Sequence, residues 1–287
     1  MVKRYLVTLL LVLGAGAVIA NFYSIFTQNP WTRDGRVSAY IVSITPRVTG
    51  QVTAVHISDN SRVTKGDLLF EIDDSLYQAA YHKAIASQEQ AQAALDKALN
   101  EEKRALALQS RTPGSVATLT LNNLNNAVDS ALANLNLTKA MVEEAKLNLD
   151  YTKVYASTDG FISNFHLRVG SQVVANSPVV ALIDANSFWV EGYFKETDLE
   201  GVDPNDKAFV TLLIDPDQPL AAEVSSIGYG IAKQDGITGN ELLPNVNPNF
   251  QWIRLAQRIP VKVTLKEKPK NLQLRVGMTA SIKIIKQ

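Results

Sequence analysis

Reactive side chains are few in this sequence of 287 residues, which holds three histidines and no cysteine. Without a thiol there is no disulfide, no thiolate nucleophile, no cysteine-rich zinc site and no residue to carry a lipoprotein lipid. No glycine-rich phosphate loop and no Ser/His/Asp grouping gives nucleotide binding or acyl transfer a centre. The acid pairs Glu143-Glu144, Glu101-Glu102 and Asp73-Asp74 fall on solvated helix faces or at a helix start, where simple electrostatics explains them. His56 and His166 occupy equivalent places in two related stretches, so a shared metal is conceivable. Single histidines on exposed strand faces are far commoner, and no metal is expected. No catalytic, metal-binding or cofactor-binding residue is assigned, and the expected protein is not an enzyme.

Recognition chemistry remains, and it is concentrated at one place. Arg104 and Leu108 stand one helical turn apart on one face, and Ser115 lies across a break at Arg111-Thr112-Pro113-Gly114-Ser115. The three present a cation, an apolar knob and a hydroxyl together. Pro113 and Gly114 supply the turn, with Thr112 expected as N-cap and Pro113 as first residue of the helix that follows.

Two long helices must position that group. Down the first, Ala84, Ala91, Ala98 and Ala105 recur every seven residues, with Tyr77 one heptad earlier and Leu95 on the adjoining stripe. Down the second, Leu121, Val128, Leu135, Val142 and Leu149 keep the same period, flanked by Ala117, Leu124, Ala131 and Ala145. An alanine seam facing a leucine/valine seam lets two antiparallel helices approach closely as a coiled coil. Ser75 with Gln78 reads as a capping box at its start, beside the negative charge of Asp73 and Asp74. Arms of about 35 residues reach on the order of 50 Å.

The composition is that of a foldable protein, with 46% hydrophobic and 20% charged residues. Twenty-eight basic residues balance twenty-eight acidic ones, so no nucleic-acid partner is indicated. From Tyr5 to Thr32 there is no charged residue, and Lys3 and Arg4 precede the run. Leu6, Leu9, Leu10, Leu11, Leu13 and Ile19 are read as the membrane anchor, a single-pass helix with its basic end cytoplasmic and the bulk exported. Cleavage near Ala15-Gly16-Ala17 is the competing reading; the apolar stretch continues past it through Phe22, Tyr23, Ile25 and Phe26.

Residues 44–74 and 152–185 flank the helices and repeat each other. Sliding the sequence along itself until Gly50 meets Gly160 also pairs, without a gap, Val52 with Ile162, His56 with His166, Ser61 with Ser171 and Val63 with Val173. Each half is too small to bury a core, so the two are expected to close into one β-sandwich. The run Val63-Thr64-Lys65-Gly66-Asp67-Leu68-Leu69-Phe70-Glu71-Ile72-Asp73 resembles half of a biotinyl/lipoyl carrier domain. Carriers bear their cofactor on a lysine between the halves; the matching place here is near Leu76, which has no amine to acylate. The carrier function is lost and no cofactor is expected.

After residue 186 the pattern is strand alternation, as in Ile259, Val261, Val263 and Leu265, and again in Val276, Met278, Ala280, Ile282 and Ile284. At least five strands, including Phe188 to Lys195, Ala208 to Ile214 and Ala221 to Ile227, suffice for a small barrel. Gln234 to Asn249, rich in Gly, Asn and Pro, reads as a long loop.

Split lipoyl halves around a coiled-coil hairpin, an anchor before and β structure after, resemble the periplasmic adaptor (membrane fusion protein, HlyD-like) family. Pro30-Trp31-Thr32-Arg33-Asp34-Gly35-Arg36-Val37, Leu199-Glu200-Gly201-Val202 and Trp252-Ile253-Arg254-Leu255-Ala256-Gln257-Arg258-Ile259-Pro260-Val261 are similar to adaptor subunits of aromatic carboxylic acid and multidrug efflux pumps. The spacing of Arg104, Leu108 and Ser115 resembles the tip motif of adaptors that bind an outer-membrane channel of the TolC type.

The expected fold is α+β, mostly β, with a long antiparallel coiled-coil hairpin, an N-terminal transmembrane helix, a split lipoyl-like β-sandwich and a C-terminal β-barrel. The expected divisions are 1–28 cytoplasmic end and anchor, 29–43 membrane-proximal strand segment, 44–74 and 152–185 lipoyl-like halves, 75–151 hairpin with its tip near 111–115, and 186–287 barrel with membrane-proximal strands. The resemblance implies an adaptor in the bacterial inner membrane, its bulk in the periplasm. Its partners would be an inner-membrane transporter, an outer-membrane channel of the TolC type and further copies of itself, as trimer or hexamer, for export of aromatic acids or drugs. The alternative is a tether serving an ATP-driven exporter of protein, peptide or lipid.

Overall fold

The computed structural model describes residues 13–16, 29–230, 256–267 and 272–286. Two compact units are present, one of Ile41–Asp184 and one combining Met1–Tyr40 with Ala185–Gln287.

After β1 (Trp31–Ser38), the chain enters the first unit through β2 (Ile41–Ile44), β3 (Gly50–Val55), β4 (Arg62–Val63) and β5 (Leu68–Ile72). Helices α1 (Ser75–Arg111) and α2 (Thr118–Asp150) follow, then β6 (Lys153–Tyr155), β7 (Gly160–Ser163), β8 (Gln172–Val173) and β9 (Val180–Asp184). The strands form two sheets, ordered β2-β9-β7-β4 and β6-β5-β3-β8. Each sheet mixes both halves of the repeat, and the register is exchanged between them. Gly50 lies opposite Val173, and the repeat mates of these two, Gly160 and Val63, lie opposite each other as well. The same symmetry governs the cross-half bonds, Val52 N donating to Ser171 O at 2.8 Å and Ile162 N to Ser61 O at 2.9 Å.

Asn60 and Gly170 are repeat mates and both take positive φ, 61° and 93°; so do Gly66 and Asn176, at 93° and 62°. The backbone fold demands a left-handed residue there, and Gly and Asn are the two types that adopt it readily. Buried Val52, Leu69, Phe70, Ile162, Val173 and Leu182 come from both halves and make one core. Neither half has a core of its own, which is why the halves must meet.

Helices α1 and α2 contain 37 and 33 residues, so their rise carries the turn about 50 Å from the sandwich. Their seam buries Ala91, Leu95 and Leu135, with Val128 and Ala131 packed against them. Thr138 is buried in the same seam, where its Oγ1 donates to Leu135 O at 2.9 Å and so needs no partner from the other helix.

The start of α1 differs from the expected capping box. Ser75 is already helical, and its N and Oγ both donate to Asp73 Oδ1, at 3.0 and 2.6 Å. Gln78 turns instead to Asp74, its Nε2 donating to Oδ2 at 2.8 Å. The acid two residues before the helix outcompetes the hydroxyl, because a carboxylate accepts more strongly. The Ser75 hydroxyl and amide hold the Asp73 carboxyl below its ordinary pKa.

In the second unit, β10 (Trp189–Lys195), β11 (Lys207–Leu212), β12 (Asp215–Ile227), β13 (Arg258–Leu265) and β14 (Thr279–Ile285) join β1 in a closed barrel, ordered β1-β10-β13-β12-β11-β14. Val190, Val210, Val224, Val261, Val263, Ile282 and Ile284 fill it. Alternation along each strand puts these residues inside and leaves polar ones out. The segment 29–43, expected as one membrane-proximal piece, divides between the two units. Its Trp31–Ser38 stretch pairs with both β10 and β14, burying Val37 and closing the barrel. Its last residues belong to β2, whose Ile44 is buried in the sandwich core. Each stretch follows its apolar face to the nearer core, and closure removes two open sheet edges.

Among the described residues no helix is long and apolar enough to cross a membrane. Of the anchor residues, Leu13 is described and exposed; Leu6, Leu9, Leu10, Leu11 and Ile19 lie outside the described residues, as does the Gln234 to Asn249 loop.

Candidate docking site at the hairpin turn

The chain reverses between Arg111 and Thr118. Pro113 and Gly114 lie in this reversal, where Gly114 takes φ +84° and Ser115 N donates to Thr112 O at 3.1 Å. Thr112 is the C-cap of α1, its N donating to Leu108 O at 3.0 Å. The second helix begins five residues later than the Thr112/Pro113 start expected from sequence, with Ala117 as N-cap. A left-handed residue at Gly114 cannot lie inside a helix, so the helix starts only after it. The connection is further tied by Gln109, whose Oε1 accepts from Val116 N at 3.0 Å.

Arg104, Leu108 and Ser115 are all exposed, and Leu108 keeps 51% of its surface open. Ser115 Oγ donates to Leu108 O at 3.3 Å, which brings two of the three together across the turn. Arg104 does not pair with Glu101. Its Nε donates to Asn100 O at 3.2 Å, while Glu101 faces Lys97 at 4.0 Å. The guanidinium is thus held along its own helix through one of its five donors.

A turn carried about 50 Å from the sandwich keeps its place only if the helices beneath it are held at their base. The base of the hairpin is braced by contacts that the heptad pattern does not announce. Tyr77 Oη donates to Thr49 O at 2.7 Å, and the Arg47 guanidinium stacks 4.6 Å from the centre of the Tyr151 ring. Ile72 N donates to Thr152 O at 2.8 Å, bridging the chain just before α1 and just after α2. The sequence signal for this brace is an aromatic residue at each end of the hairpin, Tyr77 and Tyr151.

The other candidates are placed separately. Leu76 projects from the first turn of α1 with 81% of its surface open. His56 Nε2 lies 2.9 Å from Glu71 Oε1, and His166 Nδ1 lies 3.1 Å from Asn164 O. Each histidine has its own neighbour, and among the described residues no three His, Cys, Asp or Glu gather where a metal could sit.

Comparison with known proteins covers both units. Residues 40–185 match the family model described as RND MFP, barrel-sandwich hybrid domain, and residues 187–285 match the AAEA-like beta-barrel domain. An uncharacterized protein of Escherichia coli strain K12, YdhJ, is 37% identical over 276 residues, spanning 96% of this chain and 95% of its own length. Among solved structures, the membrane fusion protein Spr0693 of Streptococcus pneumoniae R6 superposes with a TM-score of 0.64 at 16% identity, over 88% of this chain and 97% of that one. MacA of Actinobacillus actinomycetemcomitans gives a TM-score of 0.62 at 20% identity, over 90% and 79%. At such identities the two structures share the fold.

Proposed function

The chain belongs to the membrane fusion protein family, the periplasmic adaptors, and from that premise we propose that it is the adaptor subunit of a tripartite efflux system. It would link an inner-membrane transporter to an outer-membrane channel and carry out no chemistry of its own. The observation that carries this reading is the braced helical lever, whose exposed Arg104, Leu108 and Ser115 stand about 50 Å from the sandwich. A carrier domain has no use for such a lever, and an enzyme would need a cleft that the lever does not form.

The cargo in this reading is a small molecule, an aromatic acid or a drug. Removing the gene is expected to sensitise cells to some members of a panel of aromatic acids and dyes, and the intact chain restores tolerance. Normal tolerance to the whole panel, with a missing secreted protein instead, contradicts the small-molecule reading and favours larger cargo.

The anchor belongs to the same proposal. It rests on the absence of charge from Tyr5 to Thr32 and on the absence of cysteine for a lipid attachment. Intact-mass measurement of the membrane-extracted protein is expected to give the full chain; a product beginning near Val18 contradicts it. Assembly as a closed ring is part of the same proposal, because one slender hairpin cannot enclose a conduit and a ring can; the family resemblance implies a trimer or hexamer.

A further inference from the structure

Strands β11, β14 and β1 are consecutive around the barrel, and their outward side chains form one surface of unusual composition. On it, Lys283 stands between two aromatic residues in register, Trp31 on one side and Phe209 on the other. Trp31 keeps 46% and Phe209 40% of its surface open. Lys207, opposite Ile285, and Arg33, whose guanidinium lies 5.3 Å from the centre of the Trp31 ring, extend the patch. The inward partners Ala208, Val210, Ile282 and Ile284 are buried, so the alternation of the strands fixes the patch on the outside.

Cations predominate on this patch, with Asp198 lining a pocket beside Trp31 from outside these strands. Neither β11 nor β14 contains an acid. The acid of β1, Asp34, engages Arg258 of β13, and Glu223, in register with Lys207, is held by Lys266 at 2.9 Å.

We propose that this face is a bilayer-docking surface that rests on anionic phospholipid headgroups, with Trp31 and Phe209 at the interface and Lys283, Lys207 and Arg33 on the phosphates. The inference rests on the anchor reading given above. With the anchor ending near residue 28, Trp31 follows three positions later, and an extended chain of that length spans at most about 11 Å. Trp31 therefore stays within reach of the membrane surface. The amphipathic indole of Trp31 favours that interface, Phe209 adds apolar surface beside it, and each nearby lysine or arginine adds attraction to anionic lipid. Lysine at the centre of the patch argues against a protein occupant, because protein interfaces are depleted in lysine.

The cysteine-free chain makes the test direct. Full-length Ile285→Cys, on this face, and Thr264→Cys, on β13 across the barrel, are each labelled with an environment-sensitive fluorophore and reconstituted into vesicles containing brominated lipid. In vesicles rich in phosphatidylglycerol, quenching is expected for the label on β14 and not for the label on β13. Adding Lys207→Glu with Lys283→Glu, raising salt, or using phosphatidylcholine alone is expected to reduce it about threefold or more. Equal quenching of the two labels, or quenching indifferent to lipid charge, overturns the inference while leaving the anchor intact. Quenching that follows protein density assigns the face to a second copy and also overturns it. Protein lost from the vesicles in an alkaline carbonate wash refutes the anchor itself, and the docking surface with it.

Discussion

Replacing Arg104 with Asp and Leu108 with Ser is expected to abolish export while both helices stay folded. Both side chains are exposed and lie off the seam of Ala91, Leu95 and Leu135 that holds the hairpin. Surface changes of this kind shift stability by about 0.5 kcal/mol or less. At an interface the same two changes remove an apolar anchor and reverse a cation, and loss of hot-spot contacts costs on the order of 2 kcal/mol or more, at least about thirtyfold in affinity. Normal thermal melting with lost export is the predicted pair of results. Unchanged export in a well-folded double variant removes these residues from the interface.

Gly160→Ala is expected to be the most damaging small substitution in the sandwich. A Cβ at Gly160 would stand 2.1 Å from the carbonyl oxygen of Ile183, on the strand with which β7 pairs. A backbone oxygen cannot swing aside, so the β7/β9 pairing itself must open, at a cost of about 3 kcal/mol. For a unit of this size the melting temperature should fall by on the order of 10 °C. Its repeat mate Gly50 supplies the control. A Cβ there would meet the Ile72 Cγ2 methyl at 2.5 Å, with the nearest backbone oxygen at 3.8 Å. The methyl branches from the Cβ of Ile72, which is buried in the sandwich core, so that side chain must shift as a whole; no paired backbone is forced apart, and Gly50→Ala is expected to cost less, about 2 kcal/mol. Equal losses for the two alanines, measured by thermal melting, would contradict this account of the pairing.

Much of the architecture was legible because it repeats. A strict period of seven revealed the helices, and the alignment of Gly50 with Gly160 revealed two halves that share one core. Alternation revealed the barrel strands after residue 186. What the sequence left unread follows from contacts distant along the chain. Nothing local in Trp31–Ser38 says that it closes a barrel with β10 and β14, which lie beyond the whole of the sandwich and hairpin in the sequence. Helix ends were misjudged where two signals competed: Asp73 displaced Ser75 as acceptor, and the left-handed Gly114 overruled Thr112-Pro113 as a helix start. At the hairpin turn, the spacing suggested that Ser115 would lie across the turn from Arg104 and Leu108; the brace at the hairpin base and the Trp31–Lys283–Phe209 row required knowledge of the fold and its strand register.

In the proposed assembly the hairpin turn reaches a channel in another membrane, and cross-linking from that turn tests this most directly. Ser110 is exposed near the end of α1, and Ser110→Cys would introduce the only thiol in the chain. In cells that export normally, a cross-linker attached to that thiol is expected to capture an outer-membrane channel, from protein that fractionates with the inner membrane. Capture of inner-membrane or soluble periplasmic proteins alone, in those same exporting cells, would contradict the account.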